Sequence, residues 1–413
     1  MITLPHLRIG GAQKQAVLLA EMLTQLGSKV VIVLVNAEKS GLENALYRLA
    51  IGSGVQVKLL RGVGHTYRLA VGARQTLRRV ASPIRIAVRG LLKRLSVIPR
   101  GANEEPSRPV KAEGPGFGIR WQSWWLRRLV MRMRPDIIIS MLTRTNVIAL
   151  RAAVGICEDI VVSERNDLNF QPVNPTTENL RDHYYPLSSE IIANSEATSA
   201  FLRVKFASSA VFFVPNLLPP LCPPEERKPD GRVIGIVARA EPQKNIAQAI
   251  DGFLVSGLWK KGWSLRVFSS GGSHAAELSK LADSARDRNV TIVFGEDDQN
   301  RIYADLDYTI LFSEYEGTPN VYYEAIAGNA FPLVTSQLRS NPQIQAMHPD
   351  LWYFEHSPAG LAEKLIHLAG DDHGIAIELA SIRMKYEHQR ENYNRQVRSF
   401  LSRRAGEVSA IVA

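Results

Sequence analysis

Tyr308-Thr-Ile-Leu-Phe312, followed by Glu316-Gly-Thr-Pro-Asn-Val-Tyr-Tyr-Glu324, is the stretch that decides the fold. The apolar run reads as a buried strand. Gly-Thr-Pro-Asn reads as the turn that leaves it, and Val321 to Ala327 as the start of a helix. Glu316 then stands on the loop at the carboxyl end of a strand, and Glu324 about one turn into the helix. Open parallel sheets bind ligands at those strand ends, and a helix N-terminus with free N–H groups attracts phosphate. Paired glutamates at this spacing also occur on many solvated helices. What surrounds them must decide whether this pair acts on a ligand carrying both hydroxyls and phosphates.

The surroundings repeat the strand-then-helix pattern along the chain, which predicts an α/β fold with parallel sheets. In the first half, strands are expected at Val30–Val35, Val55–Leu60, Asp136–Met141, Ile160–Ser163, Glu190–Ala193 and Val211–Val214. In the second half they are expected at Val233–Val237, Leu265–Ser269, Val290–Phe294, Thr309–Phe312 and Phe331–Thr335. Between the halves lies Leu218-Pro-Pro-Leu-Cys-Pro-Pro-Glu-Glu-Arg-Lys-Pro229, whose five prolines fit neither a helix interior nor a central strand. The expected architecture is two Rossmann-like domains with a cleft between them. The first spans residues 1–217, with a basic insertion at about 61–118. A Pro-rich linker covers 218–231, the second domain 232–381, and a C-terminal helical segment 382–413.

Composition narrows the class. A chain of 413 residues is long enough for two domains, and 45% apolar content is ordinary for a globular protein. Cys157 and Cys222 are the only cysteines, which suits a reducing compartment and supplies neither a disulfide framework nor a metal ligand set. No secretory signal is visible, and no uncharged apolar run reaches the roughly 18 residues that a spanning helix needs.

Two further loops lie at strand ends. Gly10-Gly11 leads into an amphipathic helix with Val17, Leu18, Ala20, Leu23 and Leu26 on its apolar face. Glycines there let backbone approach a phosphate, or simply make a tight turn. Only Met1–Pro5 precede the loop, so the first strand is very short: an abbreviated edge strand or the remnant of a longer start. Arg239-Ala-Glu-Pro-Gln-Lys-Asn245 follows the expected strand Val233–Val237. Arg239 offers a planar fork of donors and Lys244 a movable charge, and together they suit a diphosphate.

With Gly10-Gly11, Arg239…Lys244 and Glu316…Glu324 in this order, the chain resembles the family 4 retaining glycosyltransferases of the GT-B fold (glycosyl transferases group 1). Ser163-Glu-Arg-Asn-Asp167, Ala193-Asn-Ser195 and Val214-Pro-Asn216 look like further landmarks of that family. The resemblance implies transfer of a sugar from a nucleotide diphosphate sugar to an acceptor hydroxyl, with no cofactor or metal required. It makes Arg239, Lys244 and Glu316 the catalytic group, with Glu316 at the sugar. It gives Gly10, Gly11, Thr318, Asn320 and Glu324 to donor binding: Glu324 at the ribose, Gly11 closing on the diphosphate, backbone N–H groups near Thr318 and Asn320 adding donors. His6 and Asp167 are candidates for the acceptor side. The final helix, read at Ile382–Leu401, would cross back to the first domain. Three departures concern the donor end, one of them Gln337-Leu-Arg-Ser-Asn341 where the family often has Gly-Gly after the next strand. Asn329 stands where the family usually has Gly, and the family's proline comes one residue before Pro332. Asn tolerates the left-handed conformation that such a turn asks for.

The net charge of +10 is local. Arg61 to Arg100 contains ten Lys/Arg and no acid. Within it, Pro83 to about Val97 reads as a helix with Ile84, Val88, Leu91 and Leu95 on one face and Arg85, Arg89 and Lys93 beside it. Such a helix lies well on an anionic bilayer. Trp121, Trp124 and Trp125, with Arg120, Arg127 and Arg128, carry interfacial residue types too, although the strand that follows argues that these tryptophans are partly core. The expected partners are therefore a nucleotide sugar, a glycan or lipid-linked acceptor, and an anionic membrane surface through about 68–100. The expected location is cytoplasmic, peripheral at the inner face of the cell membrane, in bacterial polysaccharide synthesis. Other readings are a basic nucleic-acid-binding protein, for which no nucleic-acid module is present, an inactive GT-B partner subunit, and a GT-B epimerase or phosphorylase.

Overall fold

The computed structural model describes residues 1–7, 10–36, 44–60, 117–165, 168, 174–222, 231–296, 298–370 and 372–412. The basic segment at 61–100, with its expected membrane helix, and Asp167 lie outside the described residues. Two sheets organise the rest. The first contains β1 (Ile2–Leu4), β2 (Val31–Leu34), β3 (Gln56–Leu59), β4 (Ile137–Met141), β5 (Asp159–Glu164), β6 (Glu190–Ala193) and β7 (Val211–Phe213), in the order 3-2-1-4-5-6-7. The second contains β8 (Val233–Val237), β9 (Ser264–Ser269), β10 (Val290–Phe294), β11 (Tyr308–Leu311), β12 (Phe331–Thr335) and β13 (Tyr353–Phe354), in the order 10-9-8-11-12-13. Every pairing is parallel. Parallel sheets are covered by helices on both faces, which is why their central strands read as continuous apolar runs.

The first strand departs from the expected edge. β1 is short but interior, with Thr3 facing Val33 of β2 on one side and Ser140 of β4 on the other. Three residues suffice because the ladder extends past the strand: Val35 N–H donates to Leu4 O (2.8 Å), Asn36 N–H to Pro5 O (2.8 Å), and Ile139 N–H to Met1 O (2.9 Å). Pro332 sits inside β12 without breaking the sheet. Phe331 N–H donates toward β11, to Asp307 O (2.8 Å), so residue 332 faces the other side. There β13 pairs only with Val334 and Thr335, and no ladder bond is lost. Asn329 has φ 64°, the left-handed conformation expected of it.

The chain crosses between the two cores twice. Leu217 packs in a core of the first sheet and Leu218 in that of the second. Gln15 reads the backbone at this crossing with both ends of its amide, donating to Leu217 O (2.9 Å) and accepting from Leu217 N–H (2.8 Å). The second crossing is the long helix Asp372–Val412, which begins well ahead of Ile382. Its first turns are anchored by Ile375 in the second core, a contact that no local pattern announces. Ile382, Tyr386 and Tyr393 continue there, whereas Val397, Phe400 and Leu401 belong to the first core. Arg383 donates to Cys222 O (2.7 Å) and Tyr386 Oη to Pro219 O (2.6 Å), tying this helix to the linker. Farther along, Arg404 pairs with Asp159 and Glu190 of the first domain.

Candidate active site

In each sheet the strand order reverses once, between β1 and β4 in the first and between β8 and β11 in the second. Adjacent loops part at such a point and leave a crevice at the carboxyl ends of the strands. Gly10-Gly11 follows β1, Arg239–Lys244 follows β8, and Ser313–Pro319 follows β11. Polar contacts across the cleft show that the two crevices face each other. Thr318 Oγ1 donates to Asn194 O (2.8 Å), and Asn216 Nδ2 donates to Asn320 Oδ1 (2.7 Å). A Cβ built on Gly11 would lie 2.4 Å from Asn320 Nδ2. The glycine is thus where the first domain meets the N-terminus of the helix Asn320–Ala327.

Lys244 lies in a short 3-10 turn, Pro242–Lys244, that ends at Asn245 in a left-handed conformation (φ 47°). Its ammonium pairs with Glu316, whose Oε1 also accepts from Ser313 Oγ (2.7 Å). Both side chains are mostly buried, at 14% and 16% exposure. Asn341 Nδ2 holds the loop by donating to Glu316 O (2.9 Å). Behind Lys244, His356 contacts Thr335 Oγ1 (2.8 Å) and Asn245 Nδ2 (3.4 Å). Arg239 stands exposed at the end of β8. Glu324 pairs with Lys14 of the first domain (2.9 Å) and accepts from Tyr303 Oη at 3.4 Å. Burial, then the Glu324 charge, pushes the Tyr303 phenol well above its ordinary range, so that it acts as a donor.

The structure therefore gathers Gly11, Lys244, Glu316, Thr318, Asn320 and Glu324 on the walls of one cleft, with Arg239 at the same strand end as Lys244. Two details add to the expectation. The Thr318 hydroxyl is spent on the first domain, and Asn320 N–H donates to Thr318 O (2.9 Å), so a phosphate would have to displace that local bond. His6 Nδ1 lies 3.5 Å from Gln13 Nε2, in the first turn of the helix that follows the glycine loop.

The landmarks named without a role acquire one. Asn194 and Asn216 join Lys14 and Gly11 among the first domain's contacts to the Glu316–Glu324 segment. Arg165, at the end of β5, donates to Asn216 Oδ1. Its neighbour Glu164 is fully buried and accepts from Tyr185 Oη and from Thr143 Oγ1 (3.0 Å). Desolvation still pushes that carboxyl up to about 7. Lys14 escapes a sequence reading because nothing on its own helix marks it. Gly271 and Gly272, at φ 90° and 149°, could have been found, since they repeat the glycines-before-helix signal after β9. Ala240 N–H donates to Gly271 O (2.9 Å), and a Cβ on Gly272 would meet Ala240 O at 2.4 Å, so only glycine fits beside the Arg239 loop.

Fold and site together define a GT-B glycosyltransferase architecture. Residues 231–371, which make up most of the second domain, match the family model glycosyl transferases group 1. Solved structures of the same architecture include TarM, at 11% identity, TM-score 0.65 and 97% coverage of both chains. A mutant of S. aureus TarM in complex with fondaparinux, alpha-GlcNAc-glycerol and UDP matches at 14% identity and TM-score 0.54, over 69% of this chain and 58% of that one. HepE of Anabaena, solved with UDP and glucose, gives 12% identity, TM-score 0.65 and coverage of 97% of this chain and 98% of that one. The lipopolysaccharide outer core galactosyltransferase WaaB, in apo form, gives 14% identity, TM-score 0.51 and coverage of 96% and 98%. At these identities the likeness establishes the fold. The comparison with curated proteins gives no match.

Proposed function

We propose that the protein is a retaining glycosyltransferase that moves a sugar from a nucleotide diphosphate sugar to an acceptor hydroxyl. The observation that carries this is the pair of opposed crevices, with the ion pairs Lys244–Glu316 and Lys14–Glu324 at the cleft they form. Departure of the diphosphate builds negative charge on its oxygens. Lys244 and Arg239 are placed to take that charge, while Glu316 faces the sugar and Glu324 the ribose. Retention follows if the acceptor attacks from the face the diphosphate leaves. The transition state then needs a stabilised leaving group more than a strong protein base. Neighbours of this fold solved with UDP support the donor class.

Thermal-shift screening against UDP-, GDP- and ADP-sugars tests the reading. The matching donor, at about 100 times its Kd, raises stability by roughly 2.7 kcal/mol, a shift of several degrees. No shift with any of the three, together with no transfer to glycan acceptors, would rule the reading out.

For the acceptor we propose a lipid-linked or cell-surface glycan in bacterial polysaccharide synthesis, reached from the inner face of the membrane. Support comes from the helix Phe117–Met133. Trp124 (46% exposed) and Met131 (48%) share its outer surface with exposed Arg120, Arg128 and Arg132, and no acid interrupts them. The Arg128 guanidinium lies 4.4 Å from the Trp124 ring centroid, Trp121 stacks on Trp124, and the part-buried Trp125 packs against the first core. Basic side chains near an anionic leaflet contribute on the order of 1 kcal/mol each. The protein should float with vesicles containing anionic lipid and sediment with neutral ones. Equal absence from both would remove the electrostatic attachment.

A further inference from the structure

We propose that Lys14 is a donor-binding residue supplied by the first domain, which rests on the ribose-holding carboxylate until the donor's diphosphate arrives. The inference rests on the glycosyltransferase reading above and assigns one more residue to that site.

Lys14 lies in the first turn of the helix Gly11–Gln25, three residues after the glycine that abuts Asn320. Its backbone N–H donates to Gly10 O (3.0 Å), so the side chain starts from the glycine loop itself. The ammonium reaches across the cleft to Glu324 Oε1 (2.9 Å) and Gln299 Oε1. The two charged side chains are only 18% and 13% exposed.

A lysine in the first turn of a helix is on the wrong end of the macrodipole, which favours anions there. This first turn carries no acid, and Gly10 provides no side-chain cap. The first domain therefore presents a concentrated positive end whose charge partner, Glu324, belongs to the other domain. Ribose hydroxyls that bind Glu324 compete for the oxygens Lys14 now occupies. A mostly buried ammonium that loses its carboxylate needs another anion. The diphosphate is the part of the donor that lies next to the glycine loop, within reach of the same flexible side chain. Ribose and diphosphate thus exchange partners with the resting ion pair: Glu324 passes from lysine to ribose, and Lys14 from carboxylate to phosphate. A bare nucleoside breaks the pair without supplying the replacement anion, so the exchange favours diphosphates.

Calorimetry with UDP, GDP and ADP, each beside its parent nucleoside, tests this on the full chain with wild type, Lys14→Met and Lys14→Arg. Hydrogen bonds to charged groups correspond to roughly 10- to 100-fold in affinity. Lys14→Met should weaken binding of the cognate nucleoside diphosphate by about that factor while leaving its nucleoside unchanged or tighter. Lys14→Arg should keep most of the diphosphate affinity. If Lys14→Met weakens or strengthens both ligands in parallel, or leaves the diphosphate unaffected, Lys14 is only a latch between domains and the proposal fails. Wild-type protein that binds none of the three diphosphates would instead overturn the donor reading itself, and this assignment with it.

Discussion

Lys244→Ala and Arg239→Ala should each lower turnover by roughly 100- to 1,000-fold, corresponding to about 3–4 kcal/mol of lost transition-state stabilisation. The two substitutions reach that loss by different routes. Lys244 is mostly buried against Glu316, so its removal takes a cation from the leaving group and also frees a carboxylate. The unpaired Glu316 then repels the charge developing on the diphosphate. Arg239 is exposed, and its loss costs no packing. It should therefore give the cleaner kinetic phenotype, with unfolding temperature unchanged. Initial rates with saturating donor, alongside circular dichroism of each variant, measure both effects. Near-normal turnover in both variants would remove the diphosphate-stabilising role from this loop.

Gly11→Ala should cost about 100-fold in kcat/KM without loss of stability, since misplacement by an ångström in a positioned site has that effect. Gly11 is the first helical residue, is exposed, and has no left-handed backbone requirement. Alanine is the better helix former there by up to about 1 kcal/mol. The obstacle is across the cleft, because the new Cβ would sit 2.4 Å from Asn320 Nδ2. Asn320 cannot simply turn away, since Asn216 donates to its other amide atom at 2.7 Å. Either that bond breaks or the domains stand farther apart. X-ray scattering should show an expanded particle for Gly11→Ala, and a double variant with Asn320→Ala should return to the compact form. Full activity in Gly11→Ala would mean that the close approach of loop and helix has no part in catalysis.

How much of this was legible in the sequence follows the range of the forces involved. Runs such as Val233–Val237 and Phe331–Thr335 announced their strands because burial on both faces demands continuous apolar residues. The left-handed turn at Asn329 was legible because few residues tolerate it. β1 could be read as a strand but not placed, since three residues carry no periodicity and its interior position depends on Val33 and Ser140. β13, with two residues, left no signal. The Glu316–Glu324 pair and the Arg239–Lys244 pair could be found because their spacing is local. Lys14–Glu324, Thr318–Asn194 and Asn216–Asn320 join residues 310, 124 and 104 positions apart. No window of sequence holds both partners, and only the folded chain reveals them.

The two crossings between the cores bear on how the cleft moves. A single covalent link would act as a ball joint, free to swivel in any direction. Here the Leu217–Leu218 step and the Tyr393–Val397 turn of the final helix both pass between the bodies. Phe213 and Tyr393, with ring centroids 6.3 Å apart, bring the two passages close together. Two anchored points define a line, and rotation about that line is the movement that strains neither passage, as a door turns on two pins. A one-axis swing returns Gly11 to the same spot over Asn320 at every closure. The registration of cleft residues belonging to different domains is thus written into chain connectivity, far from the residues themselves.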